Sequence, residues 1–142
     1  MDLGEATRIA KAFNKTGKFY RQAQADLLRP LGLHPGQDVV LWYLAKSDSG
    51  VGIAELAKSL GIEPPTLTRT LARMDAGGWF VREKVAGDRR AVRIRLTAAG
   101  RSAVPRIEAI WIELGDRATR GLPDDHRSRL LDDLDAVRDN LA

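Results

Sequence analysis

The 142-residue sequence contains no cysteine and only two histidines, His34 and His126. Without a thiol, the chain can form no disulfide, offer no cysteine nucleophile and sense no oxidant through cysteine. Two histidines are too few for a convincing zinc site, so we predict no metal and no other cofactor. The sequence also lacks a P-loop, a glycine-rich dinucleotide fingerprint, an HExxH motif and a nucleophile elbow. We therefore expect no catalytic residues and no enzymatic activity.

Long hydrophobic runs are missing as well. No apolar segment approaches the roughly 20 residues needed to cross a bilayer, and the N-terminus lacks the uninterrupted apolar centre of a signal peptide. We therefore expect a cytoplasmic protein with no membrane partner. The length suits one domain with a real core, but not two separate cores.

The net charge of +4 conceals an asymmetry along the chain. Residues 55–106 carry eleven basic and five acidic side chains, whereas residues 107–142 carry five and nine. A basic excess alone indicates only a solvated surface. Combined with the pattern described next, it favours binding to nucleic acid.

The central stretch predicts two short helices joined by a turn. In the first helix, the apolar residues share one face: Ile53, Leu56, Ala57 and Leu60. Gly61 ends this helix, and Pro64 is tolerated in the first turn of the next one. The apolar face of the second helix consists of Leu67, Leu71 and Met74, and Gly77-Gly78 closes it.

The opposite face of the second helix carries four hydrogen-bond donors: Thr66, Thr68, Arg69 and Arg73. In a helix-turn-helix, the second helix enters the major groove of DNA. Because arginine can bond two acceptors of guanine and threonine can touch phosphate or a thymine methyl, we predict base contacts by Arg69 and Thr68. We place Thr66 and Arg73 near phosphates. A surface salt bridge with Asp75 or Glu63 is the alternative for Arg73.

Two alternating strands follow, with Val92, Ile94 and Leu96 expected inside and Arg93 and Arg95 outside. Between the strands, Gly87-Asp88-Arg89-Arg90 predicts a positively charged turn. A helix-turn-helix followed by such a hairpin is a winged helix.

Within this wing we predict that Arg90 inserts into the minor groove, where narrow AT-rich geometry strengthens the negative potential. The acidic Asp88 is expected to accept hydrogen bonds from the turn backbone or from Arg90. Four further basic residues are phosphate candidates or, equally, solvated strand residues: Arg82, Lys84, Arg89 and Arg93.

Longer helices flank this core. Apolar spacing predicts a helix from Leu3 to Leu28, which Arg29-Pro30 ends. Pro35 can open a second helix that runs through Leu44, and residues 47–52 read as a loop. Thr97 is a plausible N-cap for a long helix with an apolar stripe at Val104, Ile107, Trp111, Leu114 and Ala118. After Gly121-Leu122-Pro123, the last helix places Leu130, Leu134, Val137 and Leu141 on one face.

We therefore predict a single domain over residues 1–142 that is mainly α with a small β-hairpin wing (α+β). A winged helix-turn-helix core over residues 33–97 would be flanked by dimerisation helices at residues 1–30 and 98–142. The apolar stripes of these helices are too long for the core to cover, which favours a two-fold homodimer over an intramolecular bundle. Two recognition helices would then meet successive major grooves of a pseudo-palindromic site in double-stranded DNA.

The order of motifs resembles the MarR/SlyA family of bacterial transcription regulators. The matching residues are Leu56-Ala57, Leu60 to Ile62, Pro65, Thr68-Arg69, Leu71, Gly78, Arg82, Asp88 to Arg90, Leu96-Thr97 and Gly100. One departure is the pair Trp79-Phe80, where the family usually has smaller aliphatic residues.

The resemblance implies a dimeric DNA-binding repressor, with the roles stated above for Asp88 and Arg90. It further implies a small aromatic or phenolic anion as effector, bound between the dimerisation helices and the core. Residues expected to border that crevice are Tyr20, His34, Gln37, Trp42 and Tyr43. Each of them also has a plain alternative as a core aromatic or a loop residue. A protein–protein interaction module or a non-specific architectural DNA-binding module remains the alternative function.

Overall fold

The computed structural model describes residues 1–142 and contains six α-helices and one three-stranded antiparallel sheet. The elements in chain order are α1 (Leu3–Leu28), α2 (Gln37–Leu44), β1 (Val51–Gly52), α3 (Ile53–Leu60), α4 (Pro64–Met74), β2 (Phe80–Val85), β3 (Asp88–Leu96), α5 (Ala98–Ala118) and α6 (Asp124–Leu141). The sheet order is β1-β3-β2. The predicted fold class, a mainly helical chain with a small wing, is confirmed.

Local signals set most helix ends. The Asp2 carboxylate accepts the Glu5 N–H at 2.8 Å and begins α1, which ends at Leu28 as predicted. Gly61 adopts a left-handed φ of 66° immediately after α3. Gly78 does the same at 67°, after a short 3₁₀ turn that follows α4. Because glycine enters this region without a Cβ penalty, both helices end where the sequence predicts.

Two predicted boundaries were wrong. The second helix begins at Gln37 rather than Pro35, because Gly36 takes a left-handed φ of 95° and the Gln37 side chain accepts the His34 N–H at 3.0 Å. The segment predicted to be a loop ends in strand β1, where Val51 pairs with Ile94. Two residues are too few to show the alternation of a strand, so only the pairing partner defines this element.

The core lies between the helix-turn-helix, the sheet and α5. Its most deeply buried residues come from all of these elements: Leu41, Leu56, Leu67, Leu71, Ile94, Leu96 and Ile107, each at most 1% exposed. Burying one such side chain contributes about 1.5–3 kcal/mol. Ile94 and Leu96 point inward as the strand alternation predicts.

A compact junction joins α5 to the base of the wing. The Thr97 hydroxyl donates to the Gly78 carbonyl at 2.6 Å and accepts the Gly100 N–H at 3.2 Å. The Thr97 N–H also donates to the Trp79 carbonyl at 3.0 Å. At Gly100, an added Cβ would lie 2.1 Å from that same Trp79 oxygen. The Leu-Thr-x-x-Gly motif therefore supplies the N-cap of α5 at Thr97. At Gly100 it supplies a residue without a Cβ, which lets α5 pack against the backbone of Trp79.

The unusual Trp79-Phe80 pair is accommodated without changing the fold. Phe80 is 9% exposed and belongs to the core. The Trp79 indole lies over Gly77, where an added Cβ would lie 2.0 Å from Nε1. Glycine at this position thus makes room for the larger aromatic ring.

The terminal helices leave apolar side chains uncovered within the chain. No residue of α6 is buried, and Leu131 and Leu134 are 64% and 49% exposed. On α1 and α5, Phe19 and Ile112 are 67% and 69% exposed. The predicted stripe of α5 is covered in part, since Ile107 and Leu114 are at most 2% exposed, whereas the stripe of α6 and much of the apolar surface of α1 stay uncovered within the chain. None of the helices combines the length and the hydropathy required to span a membrane.

We expect Gly100→Ala to destabilise the protein by about 1–3 kcal/mol, because the new methyl group would overlap the backbone of Trp79. Gly115→Ala, in the same helix, is the matched control, since no atom lies within 4 Å of its added Cβ. Helix propensity predicts that this control is stabilised by up to about 1 kcal/mol. Urea unfolding monitored by circular dichroism measures both changes. Equal stability of the two variants would contradict the close contact between Gly100 and the Trp79 backbone.

Candidate nucleic-acid interface

Helix α4 presents the predicted polar residues to solvent. Leu67, Leu71 and Met74 anchor its inner face and are at most 2% exposed. The four residues predicted to contact DNA are all exposed: Thr66, Thr68, Arg69 and Arg73. The helix therefore offers a polar face supported by a rigid apolar one.

The hydroxyl groups of this face are partly engaged within the helix. Thr68 Oγ1 donates to the Pro64 carbonyl at 3.0 Å, so its hydrogen is used and its lone pairs and methyl group remain free. Arg69 has one long contact, with its Nη2 atom 3.5 Å from Thr66 Oγ1. The guanidinium of Arg69 is otherwise available for a bidentate contact.

Arg73 forms no salt bridge with either carboxylate considered from the sequence. Asp75 instead pairs with Arg82, seven residues further along the chain, and Glu63 pairs with no basic residue. Arg82 is thereby held beside the end of α4, while the charge of Arg73 stays uncompensated. This arrangement favours the phosphate role of Arg73 over its salt-bridge alternative.

The tip of the wing differs from the predicted four-residue turn. The turn consists of Ala86-Gly87, with a left-handed φ of 85° at Gly87, and Asp88 already belongs to β3. The pairing then jumps from Val85↔Asp88 to Lys84↔Val92, so three residues of β3 have no partner on β2. Two of these residues are Arg89 and Arg90. The wing therefore presents both arginines on an exposed bulge, a feature that no local turn signal specifies.

The Asp88 carboxylate stabilises this bulge as the sequence predicts. Its Oδ1 atom accepts the backbone N–H of Arg90 at 2.9 Å. Because that N–H belongs to the unpaired segment, the carboxylate satisfies a donor that lacks a strand partner. Asp88 thereby restricts the backbone that carries Arg90.

Arg93 has a different environment from the one expected for a phosphate contact. Its Nη2 atom donates to the Gly50 carbonyl at 2.7 Å, and its Nε atom is buried without a partner. Strand β1 pairs with β3 beside Arg93, at Gly52↔Arg93. The half-buried guanidinium therefore ties β3 to the turn before β1, and the phosphate contact of Arg93 stays a prediction.

Arg95 is also engaged on the sheet surface. Its Nε atom donates to Glu83 at 3.1 Å, and the hydrogen bond lowers the pKa of the Glu83 carboxyl while raising the pKa of Arg95. Apart from Lys84 on β2, the exposed and unpaired positive charge of the wing therefore lies at its bulge.

One residue that matters for the architecture was missed. Asp38 is 1% exposed and its carboxylate accepts three hydrogen bonds: from Trp111 Nε1 at 2.7 Å, Gln24 Nε2 at 3.0 Å and the Gly36 N–H at 2.9 Å. These contacts connect α2 with α1 and α5. In the sequence, Asp38 resembles any acidic residue in a first helical turn. The only signal in the sequence is that the indole N–H of Trp111 needs a hydrogen-bond acceptor. That need does not identify Asp38 as the acceptor.

The five residues predicted to border an effector crevice lie in three separate places within one chain. Tyr20 lines a cleft between α1 and the end of α5. His34 and Gln37 line a second cleft against α4, and the Gln37 oxygen is already bonded to the His34 N–H. Trp42 and Tyr43 lie on α2, and Trp42 contacts Trp111 and Glu108 of α5. The crevice between the dimerisation helices and the core stays a prediction.

Trp42 and Tyr43 form an aromatic cluster with Trp111 and Lys46. The Trp42 ring centroid lies 5.2 Å from that of Tyr43 and 5.5 Å from that of Trp111. Lys46 Nζ lies 3.8 Å from the Trp42 centroid, and the Trp42 indole donates to Glu108 at 3.1 Å. All three rings are half-buried rather than enclosed in the core. The aromatic cluster is consequently a partly open surface of flat rings beside a cation.

Comparison with known proteins agrees with this geometry. Residues 23–91 match the model of the MarR family. A MarR transcriptional regulator from Methanosarcina mazei Go1 is 25% identical, with a TM-score of 0.78 and coverage of 94% of this chain and 96% of that one.

Two further structures share the fold. A mutant of MarR from E. coli complexed with operator DNA is 24% identical, with a TM-score of 0.82 and coverage of 96% and 99%. CouR from Rhodococcus jostii RHA1 bound to p-coumaroyl-CoA is 22% identical, with a TM-score of 0.74 and coverage of 91% and 90%.

Replacement of Asp88 tests whether the bulge needs its carboxylate. Removing a negative charge from a surface that faces DNA should by itself strengthen binding. We expect Asp88→Ala to weaken duplex binding severalfold instead, because the Arg90 backbone loses its acceptor. Asp88→Asn removes the same charge but retains an acceptor oxygen, and should bind at least as well as the wild type. Fluorescence anisotropy with labelled duplex measures both, and tighter binding by Asp88→Ala would contradict the positioning role.

Proposed function

We propose, from the match of residues 23–91 to the MarR family and the shared fold, that the chain is a MarR-family winged helix transcription regulator and acts as a homodimeric, sequence-specific DNA-binding repressor. The observation that carries the proposal is the distribution of unpaired arginines. Arg69 and Arg73 on α4 and Arg89 and Arg90 on the wing bulge form no salt bridge, although all four are exposed.

Seven other arginines are neutralised within the chain, whereas the exposed arginines outside α4 and the wing that form no salt bridge are Arg8, Arg21, Arg106, Arg120 and Arg127. The seven that pair with a carboxylate of the same chain are Arg29, Arg82, Arg95, Arg101, Arg117, Arg129 and Arg138. Uncompensated charge on both the recognition helix and the wing is available to the phosphates and base edges of a duplex. A protein-docking surface has no need of this charge pattern.

The uncovered apolar side chains of α1 and α6, together with the exposed Ile112 of α5, support the dimer. Exposed apolar side chains on these helices can be buried against the same helices of a second chain, because a two-fold interface uses one patch twice. Two copies of α4 would then face successive major grooves, about 34 Å apart. This arrangement favours a pseudo-palindromic operator. The structural likeness to MarR bound to operator DNA supports a similar mode of docking.

Members of the family that the sequence resembles more commonly repress transcription than activate it, and we propose that this chain is a repressor as well. The release signal we propose is a small aromatic anion at the aromatic cluster of Trp42, Tyr43, Trp111 and Lys46. Flat ring faces stack on aromatic ligands, and Lys46 supplies a cation for a carboxylate. Asp38 connects this surface to both α1 and α5 through Trp111 and Gln24. A ligand that displaces Trp111 would therefore act on the helices that hold the dimer.

Selection of sites from a random duplex pool at two salt concentrations tests the proposed function. We expect enrichment of a palindrome whose half-sites lie about one helical turn apart. Light scattering on the same sample should give twice the 15.6 kDa mass of one chain. Salt-sensitive binding without an enriched sequence would mean that the protein is an architectural DNA-binding module and not a sequence-specific regulator. A monomer at micromolar concentration would refute the dimer.

Single replacements then separate base contacts from phosphate contacts. Arg90→Ala should weaken binding to every sequence and reduce the slope of log affinity against log salt by about 0.9 for each phosphate that is no longer neutralised. Arg69→Ala should in addition relax base preference within the half-site, by about 1–3 kcal/mol of discrimination. Arg129→Ala, an exposed position on α6, is the control and should match the wild type. Unchanged affinity and slope for the first two variants would refute these assignments.

Tryptophan fluorescence tests the effector proposal, because Trp42 and Trp111 lie in the aromatic cluster. We expect salicylate to quench emission in a saturable way and to weaken operator binding. Lys46→Ala should reduce both effects, since the ligand carboxylate loses its cation. The outcome against the proposal is an operator affinity that does not change at any salicylate concentration.

A further inference from the structure

Three residues form the row of α4 that points furthest from the core. Pro65, Arg69 and Ala72 follow one another at intervals of four and three residues, so they share one face of the helix. All three are exposed, and Arg69 lies opposite the buried side chains of Leu67 and Met74. We call this face the outer row. It consists of one guanidinium between two small apolar side chains.

Arg69 is the one side chain of the outer row that can donate a hydrogen bond. On the flanks of the helix, the Thr68 hydroxyl donates to the Pro64 carbonyl at 3.0 Å. The Thr70 hydroxyl donates to the Thr66 carbonyl at 3.1 Å. Both hydroxyl hydrogens are therefore used within α4. The threonine oxygens that remain can accept from more than one base, so they select among bases only weakly.

Strong acceptors are absent from the whole of α4, which contains no Asp, Glu, Asn or Gln. Two carboxylates flank the helix. Asp75 pairs with Arg82, and Glu63 lies four residues before the buried Leu67, in line with the inner face. The amino groups of adenine and cytosine are read by amide or carboxylate acceptors. The outer row therefore has no group that selects adenine or cytosine.

From this face we propose that each operator half-site presents a guanine to Arg69 and thymine methyl groups to Pro65 and Ala72. The proposal rests on the DNA-binding function proposed above and names the bases that are read. A guanidinium can donate to O6 and N7 of guanine at once, and an apolar side chain can contact the C5-methyl group of thymine. Neither apolar residue was assigned a contact from the sequence.

Helix geometry sets the distance between the guanine and the thymines. At a rise of about 1.5 Å per residue, Pro65 lies about 6 Å before Arg69 along the helix axis, and Ala72 lies about 4.5 Å after it. Successive base pairs are about 3.4 Å apart. The thymines should therefore lie within about two base pairs of the guanine, one on each side.

Base analogues in the duplex enriched from the random pool test each contact separately. At the invariant guanine, 7-deazaguanine lacks the N7 acceptor and should weaken binding about tenfold. At a neighbouring thymine, deoxyuridine removes only the methyl group. We expect that exchange to weaken binding about fourfold, which corresponds to one methyl-sized group leaving an apolar contact. Fluorescence anisotropy measures both changes.

The same exchange of thymidine for deoxyuridine beneath the wing is the matched control. Arg90 is proposed to read the minor groove there, whereas the thymine methyl group lies in the major groove. Removing a methyl group at that position should therefore leave the affinity unchanged.

Replacements in the protein connect each base with its side chain. Ala72→Gly should make binding insensitive to deoxyuridine on one side of the guanine, and Pro65→Ala should do so on the other side, because the contact is already lost. Arg69→Ala should lose sensitivity to 7-deazaguanine alone. Thr70→Ala, outside the outer row, is the control and should keep every sensitivity. Circular dichroism verifies that the variants are folded. Losses that add fully in every combination would overturn the assignment.

The result of the selection separates this proposal from the function on which it rests. An enriched palindrome whose half-sites contain no guanine, or that tolerates deoxyuridine at every position, would overturn the base preference and leave the specific regulator intact. A pool with no enriched sequence would refute the specific regulator and the base preference together.

Discussion

The buried carboxylate of Asp38 is the contact on which the relation between the core and the terminal helices depends. It accepts hydrogen bonds from α1, from the turn before α2 and from the Trp111 indole of α5. All three donors are neutral, so the carboxylate is stabilised by hydrogen bonding rather than by an ion pair. A change at Asp38 or Trp111 would therefore alter the position of α5 relative to the helix-turn-helix. The aromatic cluster borders this network through Trp111.

The arginines show how one residue type serves two purposes in the same fold. Where an arginine has a carboxylate neighbour, as Arg82 has Asp75, it fixes local geometry. Arg93 does the same through the Gly50 carbonyl. Where no carboxylate is in reach, as at Arg69 and Arg90, the charge stays available to a partner. The functional surface is thus defined as much by the absence of carboxylates around it as by the presence of basic residues.

Local patterns were sufficient for much of the fold and of the site. The spacing of Leu67, Leu71 and Met74 predicted both the buried face of α4 and, by exclusion, the exposed Thr66 and Arg69. The φ preference of glycine predicted the ends at Gly61 and Gly78, and the capping chemistry of Thr97 predicted the start of α5. These features depend on a few neighbouring residues. The sequence therefore contains all the information needed to recognise them.

The features that only the tertiary structure reveals depend on residues that are distant from one another in the chain. Strand β1 exists because β3 pairs with it, and Arg93 donates to the Gly50 carbonyl just before β1. The bulge at Arg89 and Arg90 follows from the register of two strands, which no single strand specifies. Asp38 meets a tryptophan 73 positions away. The sequence by itself determined the elements and their buried faces, since these follow from local geometry. Only the tertiary structure decided which polar groups meet, because those contacts depend on packing between remote segments.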